Sequence, residues 1–134
     1  MELKFISPRE LGAAFAPYSQ IAHAKAQEIV FVAGQVATRE DGSIAGADDF
    51  EAQCEQIYKN IETALGHVDA NWSNVAQFTS YLVSADDIAR YKAWRERRFK
   101  ELFPSGNYPT NTLLIIQRLV VDTLRLEVQA IAVK

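Results

Sequence analysis

Ten residues near the C-terminus, 124–133 (L-R-L-E-V-Q-A-I-A-V), alternate in a way that only an extended chain satisfies. Leu124, Leu126, Val128, Ala130 and Ala132 fall on one side, and Arg125, Glu127, Gln129, Ile131 and Val133 on the other. Such a strand needs a sheet to lie in and something apolar to cover its first side. A second run rich in Leu, Ile and Val, residues 112–119, precedes it across a short link at Asp122-Thr123. The pair reads as a hairpin. Two groups in this region are suited to bind or activate a ligand: Asn111, just after Tyr108-Pro109, and Glu127 inside the last strand.

Upstream, residues 3–6 read as a short strand ended by Ser7-Pro8, since proline lacks a donor and biases its predecessor to extended geometry. Residues 9–18 read as an irregular arm, and residues 20–26 alternate loosely. Residues 28–33 (E-I-V-F-V-A) are nearly continuous apolar, which predicts a strand buried on both faces. At residues 47–68 the period becomes helical, with Phe50, Cys54, Ile57, Ile61, Ala64 or Leu65, and Val68 on one stripe. A strand at 75–83 follows. Ser84 then suits an N-cap, and a second helix runs to about Phe103 with Ile88, Tyr91, the Arg95 stem, Phe99 and Leu102 inward. Pro104-Ser105-Gly106 stops it.

The order is β-β-β-α-β-α-β-β. It predicts an α+β domain spanning residues 1–134, a mixed six-stranded sheet with both helices on one face. The other face then stays apolar unless copies associate through it.

The charge balance narrows the partners. Net charge is -3 and the isoelectric point about 5.4, so the surface lacks the basic excess that holds a nucleic-acid backbone. No apolar run is long enough for a membrane span, and no secretory signal pattern opens the chain. The expectation is a cytoplasmic protein with no nucleic-acid or membrane partner. Cys54 is the single cysteine, and His23 and His67 lie far apart without an acid or cysteine at metal-site spacing. No metal is expected, and all three residues read as structural.

Several segments together resemble the RidA/YjgF family of reactive intermediate deaminases, once labelled L-PSP endoribonucleases. They are Ala16-Pro17-Tyr18-Ser19, Val30-Phe31-Val32-Ala33-Gly34-Gln35, Asn60-Ile61 in the first helix, Tyr108-Pro109, and above all Leu126-Glu127-Val128-Gln129-Ala130-Ile131-Ala132-Val133. The resemblance implies a chorismate-mutase-like fold, a homotrimer whose sheets pack into a central barrel, and ligand clefts between subunits. It also implies hydrolysis of an enamine or imine with no cofactor. On this pattern Glu127 positions the attacking water, and Tyr18, Gly34, Asn111 and Leu113 contact a small-molecule ligand, Leu113 through its backbone carbonyl.

One departure stands out. Asn111 occupies the place of the arginine that clamps the substrate carboxylate in the deaminase branch. An amide offers two weak donors and no charge, where a guanidinium offers a charged fork. The exchange weakens carboxylate binding by roughly 2 to 4 kcal/mol, or about 30- to 1000-fold. Arg118 is seven residues on, which strict alternation places on the opposite face. The resulting expectation is a deaminase acting on something other than the simple 2-iminoacids. The rivals are a non-catalytic trimer that binds a small metabolite or regulates a partner, and an endoribonuclease or translation inhibitor, which the acidic charge disfavours.

Overall fold

The structure, a computed structural model, describes residues 1–134. It contains strands β1 (Glu2–Ile6), β2 (Ile21–Lys25) and β3 (Ile29–Gln35), helix α1 (Phe50–Gly66), strand β4 (Val75–Leu82), helix α2 (Ile88–Leu102), and strands β5 (Thr110–Ile115) and β6 (Leu126–Val133). Type and order match the expectation. Asp49 caps α1, its side chain accepting from the Ala52 N–H, and so satisfies one of the donors that a helix start leaves open.

The strands pair differently from the expected hairpin and single sheet. β1 and β2 form a two-stranded antiparallel sheet, and the other four are ordered β3-β6-β4-β5. β6 lies between β3 and β4, antiparallel to both, whereas β5 runs parallel to β4 at the edge. A parallel pair needs a crossover, and α2 supplies it. β5 ends at Ile115, not at Leu119, and residues 116–125 make an excursion before β6 begins. Gln53, buried on α1, pins that excursion: its amide donates to the carbonyls of Thr123 (2.8 Å) and Gly46 (3.0 Å) and accepts from the Arg125 N–H (2.9 Å). The β1–β2 unit is held apart from β3 at both ends. Ser19 bridges to Thr110 at the β5 edge, and the N–H groups of Gln27 and Glu28 both donate to the Lys134 carbonyl.

Both helices cover one face of the four-stranded sheet. Ile57, Ile61 and Leu65 of α1 and Tyr91, Trp94 and Phe99 of α2 pack with Val32, Phe78, Leu82, Leu126, Val128 and Ala130 in a single core. Burial of each aliphatic side chain there is worth about 1.5–3 kcal/mol. Three expectations change. Val68 lies beyond the end of α1 and is 40% exposed; Ile88 is 40% exposed at the start of α2, and Trp94 takes the inward place, its indole N–H donating to Glu55 at 2.9 Å. β3 is buried on one face only, with Ile29 62% and Phe31 74% exposed on the other. It is an edge strand, and the helices reach just one of its sides.

Candidate functional site

Glu127 and Gly34 meet across the β3–β6 pair. Val32 stands opposite Ala130 and Gln35 opposite Val128, so β3 carries one residue more than β6 between those points. This bulge turns Gly34 toward the Glu127 side chain. A β-carbon at Gly34 would stand 2.7 Å from Glu127 Cδ and 2.8 Å from Oε2. Gly34 has no positive φ, so glycine is required here by the close approach and not by backbone conformation. Glu127 is half-buried and lies opposite Tyr81 on the face away from the helices. Its carboxylate has no cation within the chain. Arg125, two residues earlier, is committed elsewhere: with Arg90 it holds the buried carboxylate of Asp87 at the start of α2.

Asn111, Tyr18 and Leu113 gather at the other edge. Asn111 stands opposite Phe78 and Leu113 opposite Ser80, both on the helix-facing side. The Asn111 carbonyl oxygen accepts from Ser80 Oγ at 2.8 Å. Ser80 Oγ is 2.9 Å from the Tyr91 hydroxyl, which is 2.6 Å from the Tyr58 hydroxyl. Each hydroxyl carries one proton, so the donation runs from Tyr58 to Tyr91 to Ser80 to Asn111. The amide of Asn111 is thereby held from behind through its oxygen, and the residue lines a cavity of about 250 Å³ together with Phe15, Tyr18, Ile88, Lys92, Arg95 and Leu113. Burial pushes both phenols above their ordinary range, so they stay protonated as hydrogen-bond donors.

The five residues singled out in the sequence therefore form two groups. Glu127 and Gly34 share the uncovered face, while Asn111 and Leu113 face the helix side, with Tyr18 beside them. A single copy does not bring the two groups together. Arg118 does not replace the missing guanidinium: it lies in the exposed excursion, paired with Asp122 at 2.9 Å. Sequence reasoning missed Ser80 and Tyr91 as the support behind Asn111, and it read Arg95 as a packed stem only. The available signal was an arginine on an inward helical stripe, a place where charge is rare without a partner. Cys54 is buried in the core, and burial pushes its thiol far up, which keeps it unreactive. No three His, Cys, Asp or Glu side chains converge, and no helix is long and apolar enough to cross a membrane.

Residues 9–134 match the family model described as endoribonuclease L-PSP. A RutC family protein of Pyrococcus abyssi is 28% identical over 128 residues, covering 96% of this chain and 91% of that protein. Among solved structures, YyfB of Yersinia pestis, described as a protein of unknown function in the conserved Rid family, superposes with a TM-score of 0.84 at 23% identity over 100% of both chains. TdcF of E. coli, solved with bound serine, gives 0.71 at 24% identity over 98% of both. These structural likenesses are likenesses of fold.

Proposed function

We propose, of a chain that belongs to the endoribonuclease L-PSP family, that it hydrolyses an enamine or imine in clefts formed between copies of itself. The observation that carries this reading is the division of the candidate site. Glu127, an unpaired carboxylate over Gly34, faces the side of the sheet that the helices leave open, whereas the Asn111 cavity faces the helix side. A closed ring, here a homotrimer, unites the Glu127 of one copy with the cavity of the next. Exposed Ile29 and Phe31 give such an assembly apolar surface to bury. The E. coli TdcF structure holds serine, which supports a small-molecule ligand for this fold.

In this cleft Glu127 accepts a hydrogen bond from water and takes its proton as the oxygen adds to the imine carbon. Glu127 passes that proton to the imine nitrogen, giving the tetrahedral carbinolamine. It then carries the hydroxyl proton to the same nitrogen as the C–N bond breaks, so that ammonia leaves, the carbonyl forms and the carboxylate is regenerated. Asn111 offers an uncharged donor where a charged clamp would hold a carboxylate next to the reacting carbon. The substrate is therefore an imine other than the simple 2-iminoacids.

The test is ammonia release from freshly generated 2-iminobutyrate, compared with imines that carry no carboxylate on the reacting carbon. Wild type is expected to favour the latter, and Glu127→Ala to abolish turnover while the trimer persists. Undiminished turnover in Glu127→Ala overturns the reading.

A further inference from the structure

Arg95 is the one deeply buried arginine of this chain that no carboxylate answers. It is 3% exposed, its Nε has no hydrogen-bond partner, and its guanidinium enters none of the chain's ion pairs. The contrast with its neighbours is direct: Arg90 and Arg125 pair with Asp87, Arg97 with Glu51, and Arg98 with Glu55 and Glu101. The guanidinium carbon lies 4.2 Å from the centre of the Tyr91 ring, a contact that offsets only part of the loss of hydration.

Arg95 lines the same cavity as Asn111, Tyr18 and Leu113. Ile88, Lys92 and Arg95 reach it from one side of α2, at spacings that put them on a common face. Lys92 is half exposed and has a partner of its own in Glu96 at 3.8 Å. Asn111 lines the cavity as well, and Ser80 occupies its amide oxygen, which leaves the NH₂ group without a partner in the chain. Beside apolar Ile88 and Leu113, the cavity thus holds one uncompensated positive charge and one oriented amide donor.

We propose that Arg95 is the anion anchor of this cavity and that it takes the carboxylate of a small organic monoanion. A guanidinium fork matches a carboxylate geometrically, and one unmatched positive charge calls for one negative charge, whereas phosphate near neutrality carries more. The anion then rests on the α2 wall and not on β5. A second guanidinium at position 111 would share this cavity with the first and repel it, which an amide there does not. The assignment rests on the reading of the site given above and refines it: the substrate is a carboxylic acid whose anionic group stands apart from the imine carbon.

The probe is 4-oxopentanoate, with uncharged 2-pentanone and inorganic phosphate beside it, titrated into the full chain by calorimetry and followed by thermal melting. The variants are Arg95→Met, which keeps a stem over Tyr91 without the charge, and Arg95→Lys. In wild type, 4-oxopentanoate raises the melting temperature and binds more tightly than phosphate. Arg95→Met loses about 30-fold or more of that affinity, Arg95→Lys loses less, and 2-pentanone does not discriminate among the three. Arg95→Met itself melts no lower than wild type, because it removes a buried, unanswered charge. The proposal is overturned by no binding in wild type, by unchanged affinity in Arg95→Met, or by phosphate binding more tightly than the acid. It is also overturned if Arg95→Met breaks the assembly without changing affinity, which would place a neighbouring copy's carboxylate on Arg95. Anion binding through Arg95 with no imine hydrolysed sinks the hydrolase reading alone. Imine hydrolysis that needs Glu127 and ignores Arg95 sinks this one alone.

Discussion

The side chain of Glu127 occupies the space where a β-carbon on Gly34 would be, with Cδ only 2.7 Å from that point. The two residues are 93 positions apart in the chain and are brought together by the bulge in β3. Gly34→Ala meets the far end of a flexible side chain and not the backbone, so the fold tolerates it and the carboxylate moves. Alanine also restricts the unfolded chain more than glycine does. Stability is expected to change by less than about 1 kcal/mol. Ammonia release is expected to fall by about 100-fold, the scale for displacing a catalytic group by an ångström. Melting and turnover measured on one sample check both halves.

The buried run from Tyr58 through Tyr91 and Ser80 to Asn111 predicts a pH signature. Both phenols are raised above their ordinary value of 10.0 by burial first. The folded state keeps these protons where the unfolded chain releases them. Their contribution is therefore complete below about pH 10 and is lost as pH rises beyond it. Urea unfolding between about pH 9 and pH 11 is expected to show a falling midpoint in wild type and a shallower fall in Tyr58→Phe. Tyr91→Phe removes the link that Ser80 and Tyr58 share and costs about 1–3 kcal/mol at neutral pH.

Asp87 is wholly buried between Arg125, which holds both of its oxygens, and Arg90 at 3.1 Å. It ties the start of α2 to the end of the 116–125 excursion. Asp87→Asn keeps the shape and removes the charge, leaving the Arg125 guanidinium without its partner. The expected loss is about 3–5 kcal/mol, read from denaturant unfolding. A loss below about 1 kcal/mol would mean that water reaches Arg125 freely.

Phe31 and Ile29 project from β3 on the face the helices do not cover. If that face is the surface through which copies associate, a charge at its centre must be desolvated on assembly. Wild type is then expected to sediment at equilibrium as the proposed trimer and Phe31→Glu as a monomer, with helix content unchanged. A variant that stays trimeric places the interface elsewhere and removes the shared cleft.

Much of this architecture is legible from residue spacing. The helical stripe of Phe50, Cys54, Ile57, Ile61 and Leu65 is the buried face of α1, and the alternation of residues 126–132 is the alternation of β6. The misreadings share one origin. Residues 112–119 and 124–133 resemble a hairpin because they adjoin in sequence, yet β6 pairs with β3 and β4. Ile88 and Trp94 fit a helical stripe about equally well, and the packing of Tyr58, whose ring is 4.7 Å from that of Trp94, selected the second.

Local periodicity is a property of the chain alone, because a helix or strand forces its own residues to alternate faces at a set interval. The sequence by itself therefore determined which segments are helices and strands, which side of α1 and of β6 is apolar, and, through the resemblance carried by Leu126 to Val133, the family. Which strands become neighbours depends on contacts between distant residues. Those contacts include Gln53 with Thr123 and Arg125, Ser19 with Thr110, and Lys134 with Gln27 and Glu28. Only the tertiary structure decided that Glu127 lies over Gly34 on one face, that Asn111 is held from behind on the other, and that Arg95 is buried without a carboxylate. Each is a relation between side chains that meet only once the sheet has its order, because burial and charge pairing are set by what the fold brings alongside.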